Sequence, residues 1–386
     1  MHVTLQELAK AAGVSASTVS RALTPGKHPV NEETRQKILT LAERLDYRPN
    51  LVARGLRTER THTLGIVVDN IVSPFTPTII RGIQDYLQEH HYFSLIINTD
   101  WDPDSESKAI RELLSRSIDG VILVESFMRG PHPVLDVTRK PYVYVHRLST
   151  RSDRNSVMVD DVYGSHLAVE HLAGLGHRRI AYINGPQGWA ASANRYTGYV
   201  EELSRWGLTH EPSLVEQGDW ELQSGFAATR RFLALEKPPT AIFAANDLMA
   251  LGAIYAVQEA GLRVPEDIAV VGYDNREIAG LVRPPITTIS LPCYEMGQAS
   301  AALLLRLLGA QSPPAEPVML RGRLIVRESS GAPDGKIPLE RYRSHTTARR
   351  PVNDGEQESM VGLITPNRAS SADGSRTTRR QDQEES

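Results

Sequence analysis

The sequence predicts an all-α head, then a core of two doubly wound α/β lobes with parallel sheets, then a disordered C-terminal tail. Three observations carry that expectation. Residues 1–60 hold ten Lys/Arg against six acids, a local +4 inside a chain of net charge −3, and their apolar residues recur only at helical spacing. From about Thr63, short apolar runs alternate with helical segments of about 10–16 residues, which is the texture of parallel α/β sheets. From Asp334 onward nine Lys/Arg balance nine Asp/Glu and only 11 of 53 residues are apolar, too few to offset the entropy of ordering. The expected boundaries are 1–48 for the head, 49–62 for a linking segment, 63–333 for the lobes and 334–386 for the tail.

Composition excludes several classes. At 386 residues the chain exceeds what one compact core usually holds. A single cysteine, Cys293, leaves no disulfide framework and no Cys-rich zinc site. No apolar run reaches membrane-spanning length, and MHVTLQELAK lacks the apolar stretch of a signal peptide, so a cytoplasmic protein without membrane association is expected.

In the head, Thr4 with Glu7 three residues on is a capping box, and Leu5, Leu8, Ala9 and Ala12 form a helical stripe ended by Gly13. Ser15 caps a second helix reaching Leu23. Asn31 caps a third, with Glu32 and Glu33 in its first turn and Ile38, Leu41 and Leu45 on one face. A helix, a tight turn and a second helix rich in Ser, Thr and Arg make a helix-turn-helix, whose second helix enters the major groove of DNA. Ser15, Ser17, Thr18, Ser20 and Arg21 suit that role, since hydroxyls bond phosphates or bases and arginine grips guanine with two hydrogen bonds. The bland alternative is a small bundle whose Ser/Thr face meets water.

In the core, apolar runs at Leu64–Val68, Leu95–Ile97, Val121–Val124, Tyr142–Val145, Ile180–Ile183, Ala241–Ala244 and Ile268–Val271 read as strands. Ligands of parallel α/β sheets bind beyond the carboxyl ends of the strands. The residues found there are Asp69, Asn70, Asn98, Asp100, Glu125, His146, Arg147, Asn184, Asn246, Asp247, Asp274 and Asn275. With Arg195, Trp220 and Phe75 they suit a hydroxyl-rich ligand, because acids and amides bond hydroxyls and aromatic rings stack on a sugar's apolar face. Taken singly, each polar residue is as well explained as a cap of the next helix.

VTLQELAKAAGVSASTVSRAL, then VNEETRQKILTLAERLDYRPNLVARGLRTERTHTLGIVV, HLAGLGHRRIAYINGP, PTAIFAANDLMALGAIYAVQEAGLRVPEDIAVVGYDN and PPITTI, resembles the LacI/GalR family of bacterial repressors over about residues 2–330. The resemblance implies a periplasmic-binding-protein-like core and a homodimeric transcriptional regulator, expected to be a repressor. Its partners would be double-stranded operator DNA of near-palindromic sequence and a small effector such as a sugar. No cofactor and no metal are expected. Ala16, Ser17 and Arg21 occupy base-reading positions, and Thr4 and the Pro49–Leu56 hinge helix, through Asn50, Ala53 and Leu56, complete the implied DNA contacts. Leu56 would wedge into the minor groove. Gly55 beside it is a departure that weakens a helix by roughly 0.5–1 kcal/mol relative to alanine.

The same resemblance implies effector contacts at Arg195, Trp220, Asn246 and Asp274 first, then at Phe75 and at Asp160 in VDD. Cys293 falls where relatives place an aromatic contact, so a relative's effector does not transfer. Chain crossings near Asp160, Ile289 and Leu320 would join the lobes. Trp101, Trp189 and Trp206 have weaker claims on the cleft or none. The tail lacks a leucine heptad, so a dimer with a dispensable tail is expected. Two rivals remain. An exported sugar receptor shares the core but has no use for residues 1–60. An enzyme would need catalytic residues, yet no G-x-S-x-G, P-loop or H-E-x-x-H occurs, and no histidine set offers metal-ligand spacing.

Overall fold

The computed structural model describes residues 3–23, 30–47, 60–125, 140–146, 155–309 and 316–331. The expected hinge helix with Asn50, Ala53 and Leu56, as well as Arg147 and the tail, lies outside the described residues.

Among its described residues the head holds three helices: α1 (Leu5–Ala12), α2 (Ala16–Ala22) and α3 (Glu32–Arg44). Thr4 and Glu7 close the capping box in both directions, and Gly13 ends α1 in the left-handed region at φ 71°. Ser15 caps α2 by accepting from the Thr18 amide, and Asn31 caps α3 by accepting from the Glu33 amide at 2.9 Å. Leu8, Ala9, Ala12, Val19, Ala22, Ile38 and Ala42 make one small core among the three helices.

The first lobe holds β1 (Thr63–Val68), α4 (Thr76–Glu89), β2 (Phe93–Asn98), α5 (Pro103–Ser115), β3 (Gly120–Val124), β4 (Tyr142–Val145) and β5 (Ser156–Val159). The chain then crosses into the second lobe. There it forms α6 (Asp161–Gly174), β6 (Ile180–Asn184), α7 (Ala190–Arg205), β7 (Val215–Gln217), α8 (Leu222–Leu233), β8 (Ala241–Ala244), α9 (Asp247–Glu259), β9 (Ala269–Asp274), α10 (Glu277–Leu281) and β10 (Thr287–Ser290). It returns to the first lobe for α11 (Cys293–Leu308) and β11 (Val318–Leu320), and re-enters the second with β12 (Arg323–Ile325).

Two six-stranded sheets result, in the orders β11-β5-β4-β3-β1-β2 and β12-β10-β9-β8-β6-β7. All pairings are parallel except β10 with β12. Strands buried on both faces, such as β3 and β4, read as the unbroken apolar runs of the sequence. The runs missed five strands: β5, β7, β10, β11 and β12. Each has only three or four residues, and most mix polar with apolar side chains, too short a stretch for periodicity to register.

Glycines set the closest helix contacts. A Cβ on Gly225 would overlap the Met249 carbonyl and one on Gly252 the Leu222 carbonyl, so α8 and α9 touch backbone to backbone. Residues leading into β1 are tied to the base of the first lobe. The Thr61 and His62 amides donate to the two Asp119 carboxylate oxygens at 2.9 Å, and Arg60 donates to the Leu308 carbonyl at 2.8 Å. These ties sit at the amino end of the sheet, whereas the carboxyl ends of its strands face the cleft between the lobes.

Candidate ligand cleft and DNA-reading head

The cleft encloses about 380 Å3, lined from both lobes. Its centre is Arg195 on α7, 6% exposed. The guanidinium donates to Asp161 Oδ1 at 2.9 Å, to Asp274 Oδ1 at 3.2 Å and to the Ala245 carbonyl at 2.5 Å, and it lies 3.7 Å over the Tyr273 ring. A buried cation is tolerable only when so paired. Asp274 ends β9 with φ 103°, and Asn275 follows with φ 54°. Non-glycine residues persist there, at about 1–3 kcal/mol each, only where their surroundings hold them. Here Arg195 holds Asp274, while Arg327 donates to Asn275 Oδ1 at 2.7 Å and Asn275 donates its amide to Thr288 Oγ1.

Burial pushes the Asp274 carboxyl up to about 6, against the opposing pull of Arg195. Burial also pushes Asp247 up to about 8, aided by the nearby Asp274 charge. Asp247 is fully buried and accepts from the Arg276 amide at 2.7 Å and the Thr288 hydroxyl at 2.6 Å, so it shapes the loop after β9 from beneath. Burial lowers His146, which presents a neutral imidazole to the cleft.

Trp220 lies in the left-handed region at φ 73°, and a Cβ on Gly185 would overlap its ring, so glycine there makes room for the indole. Its buried Nε1–H has no hydrogen-bond partner among the described residues. Asn246 caps α9 through Oδ1 to the Met249 amide at 2.8 Å, while its Nδ2 donates to the Trp220 carbonyl at 2.8 Å. The residue lines the cleft, but its amide is largely committed to orienting that loop.

Of the expected effector contacts, Phe75, Arg195, Trp220, Asn246 and Asp274 come together around this one cavity. Asp160 does not, and here the reading of VDD is corrected. It caps α6 by accepting from the Tyr163 amide at 3.0 Å, pairs with Arg321 at 3.3 Å, and donates its amide to the Leu320 carbonyl. Its neighbour Asp161, on the first turn of α6, reaches the cleft instead. The capping requirement was the available signal: the aspartate just before a helix is consumed by the cap. Trp101 and Trp189 also line the cavity, correcting their low standing in the sequence reading, whereas Trp206 packs near Arg178. Cys293 starts α11 and lines an adjoining depression that shares Phe75, Leu248 and Asp274 with the cleft. Burial raises its thiol to about 12, so it contributes space rather than charge.

On the head, Ser15, Ser17 and Arg21 are exposed and Ala16, Thr18 and Ser20 are partly covered, with Val19 and Ala22 turned into the core. Ser15 Oγ shares hydrogen bonds with Ser17 at 2.8 Å and Thr18 at 2.9 Å, and Arg21 Nε donates to the Ser17 carbonyl at 3.3 Å. Thr4 is engaged with Glu7. Among the described residues no helix is long and apolar enough to cross a membrane, and no group of three or more metal-ligating side chains forms.

A reader helix joined to two lobes around a polar cleft defines a ligand-responsive DNA-binding regulator. Two family models match: bacterial regulatory proteins of the lacI family over residues 4–50, and a periplasmic binding protein-like domain over residues 169–330. The chain is 33% identical over 333 residues to catabolite control protein A of Priestia megaterium, covering 86% of this chain and all of that one. It is 32% identical over 331 residues to the repressor CytR of Escherichia coli K12, covering 85% and 96%. Among solved structures, a lac repressor dimer bound to operator and the anti-inducer ONPF matches with TM-score 0.71 and 31% identity over 86% of this chain and all of that one. The regulator CelR with cellobiose matches with TM-score 0.62 and 34% identity over 85% of this chain and all of that one. The chain belongs to the LacI family of transcriptional regulators; its relatives are regulators rather than enzymes.

Proposed function

We propose that this protein is a cytoplasmic, homodimeric repressor that binds a near-palindromic operator and is controlled by a hydroxyl-rich effector of the sugar class held between the lobes. The observation that carries the effector reading is the Arg195–Asp161–Asp274 cluster beside Trp220, whose buried indole N–H has no hydrogen-bond partner among the described residues. Carboxylates accept from hydroxyls in charge-assisted bonds roughly twice as strong as neutral ones. The indole N–H donates to a hydroxyl or ring oxygen, and its face covers the ring.

Dimerisation is supported by apolar surface. Edge strand β2 leaves Phe93 71%, Leu95 40% and Ile96 37% exposed. An uncovered apolar sheet edge invites aggregation unless a partner covers it. Each head would contact a half-site through Ala16, Ser17, Thr18, Ser20 and Arg21, with Thr4 and Ser15 nearby. Asn50, Ala53 and the Leu56 wedge would act in the minor groove. The functional segments are 1–48, 49–62 and 63–333, with 334–386 dispensable.

Selection of binding sites from random duplexes should enrich one near-palindrome, and saccharides should shift affinity for it. Unselective binding in the first assay would sink the operator reading. Operator affinity indifferent to every saccharide would sink the effector reading.

A further inference from the structure

The first lobe buries a carboxylate far from the cleft. Asp119 stands just before β3, at the amino end of the sheet, and is 3% exposed. It holds the two residues that precede β1. Thr61 donates its amide to Oδ1 at 2.9 Å, and His62 donates its amide to Oδ2 at 2.9 Å. The Thr61 hydroxyl lies between Oδ1 at 3.1 Å and the Ser117 carbonyl at 3.0 Å. In return the Asp119 amide donates to the Thr63 carbonyl at 2.8 Å.

The backbone is strained on both sides of this clamp. His62 is left-handed at φ 52° and Ser117 at φ 58°, conformations that a residue with a side chain keeps only where its surroundings hold it. The His62 ring packs on Tyr92 with centres 4.8 Å apart, and the His62 carbonyl accepts from the Phe93 amide at 2.8 Å. The sheet itself does not call for this arrangement. β1 is already paired in parallel on both sides, with β2 and with β3. A buried carboxylate costs desolvation that an apolar side chain in the same place would not. What the carboxylate fixes is the direction in which residues 60–62 leave the lobe toward the head, with Arg60 also bonded to the Leu308 carbonyl at the end of α11. Through Phe93, His62 further ties that exit to β2, the strand whose exposed edge supports dimerisation.

Resting on the dimeric operator reading above, we propose that Asp119 is a positioning residue for DNA recognition. Its hold on Thr61 and His62 fixes where the segment joining lobe to head begins, and so sets the span between the two heads of a dimer. Two tethered heads engage two half-sites at an effective concentration set by the length and stiffness of their tethers. A firm anchor favours one span. A loosened anchor lengthens the tether and admits several. Random duplex offers every span and is indifferent to the anchor.

The test measures binding of the full chain to three duplexes: the near-palindrome that the parent enriches from random sequence, the same site with two base pairs inserted at its centre, and random duplex. Asp119→Asn keeps one acceptor and turns an N–H toward the amides of Thr61 and His62. The preference for the uninterrupted over the interrupted site should fall about two- to thirtyfold. Affinity for random duplex should stay within about twofold, because the head is untouched. Thr61→Val, which removes only the hydroxyl, should move the preference the same way by less, and it decides the matter alone if Asp119→Asn does not fold. Ile110→Ala hollows the adjoining core on α5. It should lower the melting temperature at least as far as Asp119→Asn and leave the preference within about twofold. An unchanged preference in Asp119→Asn and Thr61→Val would overturn the positioning role and leave the operator reading standing. So would an equal fall in Ile110→Ala, or light scattering that finds Asp119→Asn monomeric. A parent chain that enriches no near-palindrome would remove the operator reading and the positioning role together.

Discussion

The two lobes share a topology and divide the work of the cleft unequally. The second lobe supplies its charged centre, with Arg195 paired to both Asp161 and Asp274. The first supplies mainly apolar surface, including Phe75, Trp101 and Met158. The difference is physical. Buried charges must be neutralised by the protein itself, so the polar half of a site is also part of the fold. An aromatic wall makes no such demand and can change at a smaller cost to stability. Damage to the second lobe should therefore lower stability and binding together, and damage to the first should separate them.

The largest effect should come from Arg195→Ala. It strands Asp161 and Asp274 around a buried hole, and breaking such a pair by removing one partner costs about 3–5 kcal/mol. Denaturant unfolding should show that loss along with weakened effector binding. Unchanged stability would mean that the carboxylates are solvated, and the contrast between lobes would fail.

Gly252→Ala should follow, at about 1–3 kcal/mol, because the new methyl meets the Leu222 backbone where α8 crosses α9. Its melting temperature should fall, and effector affinity in the folded fraction should hold. Phe75→Ala gives the converse. Binding should weaken by about 1–2 kcal/mol through lost aromatic contact, with a smaller change in unfolding free energy than Arg195→Ala causes. A stability loss as large as that of Arg195→Ala would show that the first-lobe wall is structural after all.

Arg21→Ala touches neither lobe. It should cost about 1–3 kcal/mol on operator DNA by removing a bidentate base contact, while effector titrations stay the same. Equal losses on operator and random DNA would reduce Arg21 to a phosphate contact.

The smallest effect concerns pH. Asp274 at about 6 and Asp247 at about 8 both stand above the ordinary 3.8. The folded chain thus keeps protons that the unfolded chain releases, and the contribution of these two groups to stability declines as pH rises from about 4 to about 8. Asp247→Asn keeps an acceptor for the Arg276 amide and removes the charge. Thermal unfolding across that range should decline less steeply for the variant than for the parent. An unchanged slope would show that Asp247 does not titrate there.

Much of this was legible in the chain itself. Capping residues and 3.6-residue spacing located the three helices described in the head, because those determinants lie within a few residues of one another. Strands buried on both faces announced themselves as apolar runs, and their carboxyl ends pointed to His146, Asn246 and Asp274. Resemblance added Arg195 and Trp220. The short strands β5, β7, β10, β11 and β12 did not show, since three or four residues specify a strand only when a sheet already offers its edge.

Local sequence thus determined the helices of the head, the α/β alternation and the chemical character of the cleft, all of which depend on neighbours close along the chain. Tertiary structure alone decided which aspartate of VDD reaches Arg195, that Trp101 and Trp189 share a cavity with Trp220, and that Cys293 stands beside that cavity rather than in it. Those choices bring together residues tens to hundreds of positions apart. They follow from where the three crossings near Asp160, Leu291 and Arg321 set the lobes, a long-range packing outcome that no short window of sequence encodes.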